Sequence, residues 1–335
     1  MNEARYREAE ATFWRTHGMD APAEHWVRLA ATGTNVRVLE WGEGDPALFI
    51  HGGPNAASGW VSLVAHLEGF RCLLVDRPGT GLSDPFPLRT SNLPAVGARF
   101  VGDVLDGLGL ERAHVVASSI GGHLALRSAA HAPERFGRMV QMACPAVVPG
   151  DRMPPFMAGL RNPVTRRLAT LFPPNPKMNA SILRQIGHGA SLDAGRLPTG
   201  MDAWYLEMQR HTDTMKSDLA AMASIVRDHE SVRLSERDFR AVPVPTRFLW
   251  GADDTFGGED VARRLVGWMP DAELTMIPDA GHLPWIDFPE LIAAETAAFL
   301  HAGDRRAATK AVGAATAAPT ATAAVAASAA AADPR

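Results

Sequence analysis

From residue 36 onward, apolar positions fall alternately into short, mainly apolar runs and into longer stretches where they recur every three to four residues. VRVLEW (36–41), ALFIHG (47–52), FRCLLVD (70–76), AHVVASS (113–119), RMVQMAC (138–144), TRFLWG (246–251) and ELTMIP (273–278) are of the first kind and predict buried strands. Around 57–67, 92–108, 120–132, 258–268 and 287–301 the spacing becomes helical. Strands alternating with helices predict an α/β fold, a mostly parallel, doubly wound sheet covered on both faces. The short link between 36–41 and 47–52 allows those two strands to be antiparallel neighbours at one end.

The alternation stops between residues 147 and 242. Proline-rich loops (VVPGDRMPPF, TLFPPNPKMN) lead there into helix-like stretches such as DAWYLEMQRHTDTMKSDLAAMASIV. This predicts a helical insert, well placed to act as a lid, between two halves of a core at 35–146 and 243–301. Residues 1–34 read as an N-terminal helical extension. The alanine-rich segment 302–335 has too few large apolar residues to build a core and is expected to be disordered.

Composition narrows the class. Of 335 residues, 46% are hydrophobic and 21% charged, ordinary values for a globular chain. A net charge of −4 supplies no basic field for nucleic acid or anionic lipid. No apolar run approaches the 18 or so residues of a membrane span, and the acidic opening MNEARYREAEATFWR argues against a secretory signal. The two cysteines, Cys72 and Cys144, fall in strand-like runs without metal-ligand or disulfide spacing, which fits small buried side chains and a cytoplasmic setting.

Candidate chemistry begins at VVASSIGGHLAL (115–126), a strand that turns into a helix at two adjacent serines. A sharp strand–nucleophile–helix turn tolerates only small residues two positions either side of the nucleophile. Ser119 has Ala117 and Gly121 there, whereas Ser118 has Val116 and Ile120, so Ser119 is the candidate nucleophile. Helix capping is the competing role for such a serine. The Ile120 N–H, in the first helical turn, is placed to meet an oxyanion. LFIHGGPNAASGW (48–60) is a strand entering a glycine-rich loop, and Gly53 is the expected second oxyanion donor. His51 leads that loop and reads as a structural hydrogen-bonding residue. TRFLWGADDTF (246–256) and ELTMIPDAGHLPW (273–285) each end a strand in a turn, one carrying Asp253 and Asp254, the other His282. Parallel strands bring their carboxyl ends to one sheet edge, so a serine, an acid and a histidine from distant segments meet there.

With HGGP (51–54), DRPGTGLSDP (76–85), ASSIGG (117–122), WGADD (250–254) and AGHLPW (280–285) in place, residues 35–301 resemble the serine hydrolases of the α/β-hydrolase superfamily. The resemblance implies Ser119 as nucleophile, Asp254 rather than Asp253 as the acid, His282 as the base, Gly53 and Ile120 as oxyanion donors, and 147–242 as a helical cap. It implies no cofactor and no metal. Ala117 stands where glycine is commoner in the family, and serine at 119 argues against the epoxide-opening and dehalogenating relatives that use aspartate.

The expected substrate is a small molecule, a hydrophobic carboxylic ester. Carbon–carbon bond hydrolysis or aminopeptidase activity on the same triad is the alternative, and a ligand-binding receptor with a weak triad is the reading from another class. Asn55, Trp60, Trp204, Tyr205, Met208 and Trp285 are the expected pocket residues. Glu207, Asp213 and Asp218 are the acids that a peptidase would need to hold a free amine.

Overall fold

The computed structural model describes residues 2–162, 164 and 174–316. Its strands are β1 (Ala23–Arg28), β2 (Asn35–Trp41), β3 (Asp45–Ile50), β4 (Phe70–Val75), β5 (Ala113–Ser118), β6 (Phe136–Met142), β7 (Thr246–Gly251) and β8 (Ala272–Ile277). They form one sheet of order β1-β2-β4-β3-β5-β6-β7-β8. Strands β3 to β8 run parallel to one another, while β1 and β2 are antiparallel additions at one edge. This is the α/β-hydrolase fold.

Two expectations about this edge need correcting. β2 and β3 are not neighbours, because β4 lies between them and pairs with both. The link runs through Gly42 and Gly44, both at positive φ, and passes so close to the start of β4 that side chains there would strike the carbonyls of Phe70 and Gly69. That close crossing carries the chain from one side of β4 to the other. The N-terminal extension is not purely helical either. β1 follows its helix, and its alternation is hidden because only Val27 of six residues is buried while Trp26 is 49% exposed. An edge strand with one thinly covered face carries little apolar signal.

The central strands are buried on both faces, which explains their mainly apolar runs. Alternate side chains enter two separate cores. Val36, Val38, Leu48, Ile50, Leu73 and Val75 join one, packed against α2 (Leu93–Gly107), α3 (Ser119–His131) and, further along the sheet, α7 (Glu259–Trp268). Leu39, Ala47, Phe49, Leu74 and Val116 join the other, with α1 (Glu3–Thr16) and the start of α8 (Pro289–Thr316). Between β6 and β7 the chain forms α4 (Pro176–Gln185), α5 (Met201–His211), α6 (Thr214–Asp228) and several shorter helices.

Residues Met1–Leu300 pack as one unit, and His301–Arg335 are a second, described separately. The alanine-rich segment expected to lack structure from residue 302 is helical as far as Thr316, as alanine's helix propensity allows; residues 317–335 lie outside the described residues. No helix among the described residues is long and apolar enough to cross a membrane.

Helix α1 buries Tyr6, Glu10, Phe13 and Trp14, a stripe at helical spacing that contains one acid. Glu10 is matched by the fully buried Arg37 of β2, which donates to both its carboxylate oxygens at 2.8 Å and to Asp76 Oδ2 at 2.8 Å. Tyr6, Ser58 and the Ala57 N–H complete the cluster, with Ser58 in turn accepting from Trp14 Nε1. Burial pushes the Glu10 carboxyl up, but the charge and hydrogen bonds of Arg37, with those of Ser58 and Tyr6, win and hold it below the usual range. This network ties α1 to the segment that follows β3.

Candidate active site

Four parallel strands, β3, β5, β7 and β8, end along one edge of the sheet with β6 between β5 and β7, and each delivers one component at its carboxyl end. β5 ends at Ser118, and Ser119 opens α3 with φ +54°, a left-handed backbone that L-residues avoid. Such strain persists only where the surroundings impose it. Here they do: a side chain on Gly121 would strike the carbonyls of Ile50 and His51, and one on Gly52 would press on Ser119 Cβ at 2.9 Å. The turn exists because those positions are glycine. Of the two serines, Ser118 has its hydroxyl buried with no hydrogen-bond partner among the described residues, while Ser119 is half-buried and lines the adjoining cavities.

β7 ends at Gly251 and delivers Asp254, which is buried, whereas Asp253 is exposed. Asp254 Oδ2 accepts from Cys144 N–H at 3.0 Å, and Oδ1 accepts from Phe256 N–H at 2.9 Å. The same Oδ2 lies 3.0 Å from His282 Nδ1, in the turn after β8. With that carboxylate on Nδ1, the ring carries its proton there and leaves the Nε2 lone pair free. His282 Nε2 has no hydrogen-bond partner among the described residues, and His282 lines the same cavity as Ser119. The arrangement suits a base held by a carboxylate beside a serine. Gly53 lines both cavities and Ile120 one of them; among the described residues neither N–H is bonded to a backbone carbonyl across the loops.

Two lobes meet at Ser119, sharing Gly53, Met222 and Phe256. One, of about 140 Å³, is walled by apolar side chains that include Ile182, Leu183, Trp204, Leu219 and Ile286. The other, of about 210 Å³, carries Arg77, Arg152, Arg233, Asp151 and Asp218. Within it Arg77 is almost wholly buried, bonded to the carbonyls of His51 and Gly52 and to Asp218 Oδ2 at 2.8 Å. Burial raises the Asp218 carboxyl, and the Arg77 charge opposes that rise. Among the described residues no group of three or more His, Cys, Asp or Glu side chains is disposed to hold a metal ion.

The expected pocket residues divide. Asn55, Trp204 and Tyr205 line the apolar lobe, with the Tyr205 hydroxyl donating to Pro54 O at 3.0 Å. Trp60, Met208 and Trp285 do not: all three are core residues. Trp60 and Trp285 stack at 4.2 Å behind the glycine-rich loop, and Trp285 Nε1 donates to Gly59 O. An aromatic beside a motif packs under the loop as readily as over the ligand, and sequence spacing does not distinguish the two. His51 is buried and bonded to its own loop, with burial and Arg77 holding it well below the usual histidine range, so it is structural. The acids a peptidase would need are all engaged: Glu207 with Arg210 and His211, Asp213 with Lys216, and Asp218 with Arg77. Sequence reading missed Phe256, whose ring lies 4.2 Å from that of His282, and Met222, which borders both lobes. It also missed Arg77, although DRPGTGLSDP contains it.

Comparison with known proteins bears on this geometry. The family profile described as "Alpha/beta hydrolase family" matches residues 47–295. The chain is 31% identical over 272 residues to a 2-hydroxy-6-oxononadienedioate/2-hydroxy-6-oxononatrienedioate hydrolase of Burkholderia vietnamiensis, covering 78% of this chain and 90% of that one. It is 28% identical to a 2-hydroxy-6-oxo-6-phenylhexa-2,4-dienoate hydrolase of Burkholderia cepacia, covering 74% and 84%. Among solved structures, naproxen esterase from Bacillus subtilis superposes with a TM-score of 0.65 at 16% identity, covering 88% of this chain and 97% of that one.

Proposed function

We propose that this chain, which belongs to the alpha/beta hydrolase family, hydrolyses the carbon–carbon bond beside a ketone in a small substrate with one carboxylate end and one apolar end. The observation that carries this reading is the pair of unlike lobes meeting at Ser119: one has Arg152 and Arg233 beside Asp151 and the Arg77–Asp218 pair, and the other is walled mainly by apolar side chains. A 6-oxo-dienoate bearing an aryl or alkyl ketone has that polarity, and the relative named for a 6-phenyl compound supports the choice; the relative named for a dicarboxylate supports the 6-oxo-dienoate portion alone. The apolar lobe favours an uncharged ketone substituent over a second carboxylate.

The roles follow from position. His282, oriented by Asp254, takes the Ser119 proton as Oγ adds to the ketone, and the N–H groups of Gly53 and Ile120 receive the oxyanion. The substrate reacts as its 2-oxo tautomer, formed when the 2-hydroxyl proton moves to the carbon beside the ketone. Collapse breaks the carbon–carbon bond. The electron pair of the broken bond then leaves as a dienolate conjugated to the 2-oxo group, and that dienolate takes its proton from His282. Water activated by His282 then releases the other fragment from Ser119 as a carboxylic acid. The helical insert between β6 and β7 is the cap that closes both lobes.

The test is a comparison of 2-hydroxy-6-oxo-6-phenylhexa-2,4-dienoate, followed by loss of its conjugated chromophore, with a neutral p-nitrophenyl ester. A higher kcat/KM is expected for the dienoate. Arg233→Met should raise KM for the dienoate and leave that for the ester unchanged. Turnover of the ester with none of the dienoate would overturn the carbon–carbon reading in favour of ester hydrolysis on the same machinery.

A further inference from the structure

The turn that carries His282 presents three consecutive backbone N–H groups, and each has a specific acceptor. Gly281 N–H donates to Asp287 Oδ2 at 2.9 Å, His282 N–H to Ile186 O at 2.9 Å, and Leu283 N–H to His188 Nε2 at 3.2 Å. Two of the three acceptors come from the turn that follows α4, within the insert rather than the core. The third, Asp287, is held by that same turn, with His188 Nδ1 2.8 Å from Oδ2 and 3.0 Å from Oδ1.

His188 and Asp287 are both fully buried and neither lines a lobe. Because Nε2 accepts from Leu283, the ring proton must sit on Nδ1, where Asp287 receives it. A second histidine–carboxylate pair therefore lies behind the first, facing the backbone of the turn instead of the substrate.

The same insert turn also reaches the acid. Thr255 Oγ1 donates to Gln185 O at 2.8 Å. Gly187, at φ +99°, sits so close to Asp253 O and Gly281 Cα that no side chain fits there. Residues 185–188 thus touch both the 253–255 turn and the 281–283 turn.

We propose that His188 is a positioning residue for His282: through Leu283 N–H and Asp287 it fixes the turn that aims the imidazole at Ser119, making the insert part of the catalytic apparatus as well as its cover. The inference rests on the Ser119–His282–Asp254 reading. A misplacement of the base by about 1 Å costs on the order of 10²-fold in rate, so the effect belongs in kcat.

The test uses full-length protein with His188→Phe, which keeps a ring but removes both hydrogen bonds. Expected are a 10- to 100-fold fall, in order of magnitude, in kcat and in the rate of fluorophosphonate labelling of Ser119, with KM little changed. In the proton NMR spectrum, the native protein should show two low-field histidine N–H signals. In the variant one should be lost and that of the His282–Asp254 pair should shift. A folded His188→Phe protein with native labelling rate and an unmoved His282 signal would overturn the positioning role. Absence of labelling at Ser119 in the native protein would instead sink the triad reading itself. Should His188→Phe fail to fold, His188→Gln decides the matter, since it keeps an acceptor for Leu283 but loses the paired contact with Asp287: an intermediate labelling rate supports the proposal and a native one overturns it.

Discussion

Replacing Ser119 with alanine is expected to abolish fluorophosphonate labelling and to lower turnover by roughly 10⁴–10⁶-fold, with the fold intact. The size of the effect follows from chemistry that no neighbour can replace. Ser118, one residue away, has its hydroxyl buried in the protein, while the Ser119 hydroxyl is at the meeting point of both lobes. A residue of activity should persist, because the groups proposed to meet the oxyanion and hold the substrate are untouched. Stability should change little, since alanine carries the same left-handed strain at φ +54° as serine does. Labelling that survives at another serine would refute the assignment. Circular dichroism and a thermal melt alongside the kinetics separate lost chemistry from lost structure.

The second large effect concerns the fold. Arg37→Ala leaves the buried carboxylates of Glu10 and Asp76 facing each other without their shared cation. Breaking a buried pair in this way costs about 3–5 kcal/mol, measurable as a lowered urea midpoint. Within this cluster burial raises the Asp76 carboxyl, and it is Glu10 that gives an acid-side dependence of the opposite sign. Glu10 has a folded pKa below its ordinary value, so its contribution is complete above the unfolded pKa and is lost as pH falls through the folded one. Glu10→Gln should therefore lower stability at neutral pH and flatten the acid limb of a stability–pH curve. An unchanged acid limb would count against the network as the source of that dependence.

The parts of this molecule that could be read from sequence are those where one physical demand acts alone. Strands β3 to β7 declared themselves because burial on both faces leaves a mainly apolar run. Ser119 could be chosen over Ser118 because the tight turn excludes bulk two residues away, and the structure supplies the reason in the carbonyls of Ile50 and His51 against Gly121. Asp254 and His282 were legible as turn residues after late strands. What remained hidden depends on partners far away in the chain. β1 shows no pattern because its outer face is solvent. Trp60 and Trp285 looked like pocket walls, yet each is the other's packing partner. Arg77 and Asp218, 141 residues apart, acquire meaning only when the insert folds over the sheet. His188 gives no local signal at all, because both its hydrogen-bond partners lie some 95 or more residues downstream.

Trp204 borders the apolar lobe from α5, and on its other side its ring is stacked on Phe13 of α1 at 5.2 Å. A single indole thus stands between ligand space and the N-terminal helix, largely shielded from water. Its emission should be that of a dry environment and should respond to whatever fills the lobe, so the part of the fluorescence lost in Trp204→Phe, set against the other seven tryptophans, is an intrinsic optical gauge of occupancy that needs no added dye.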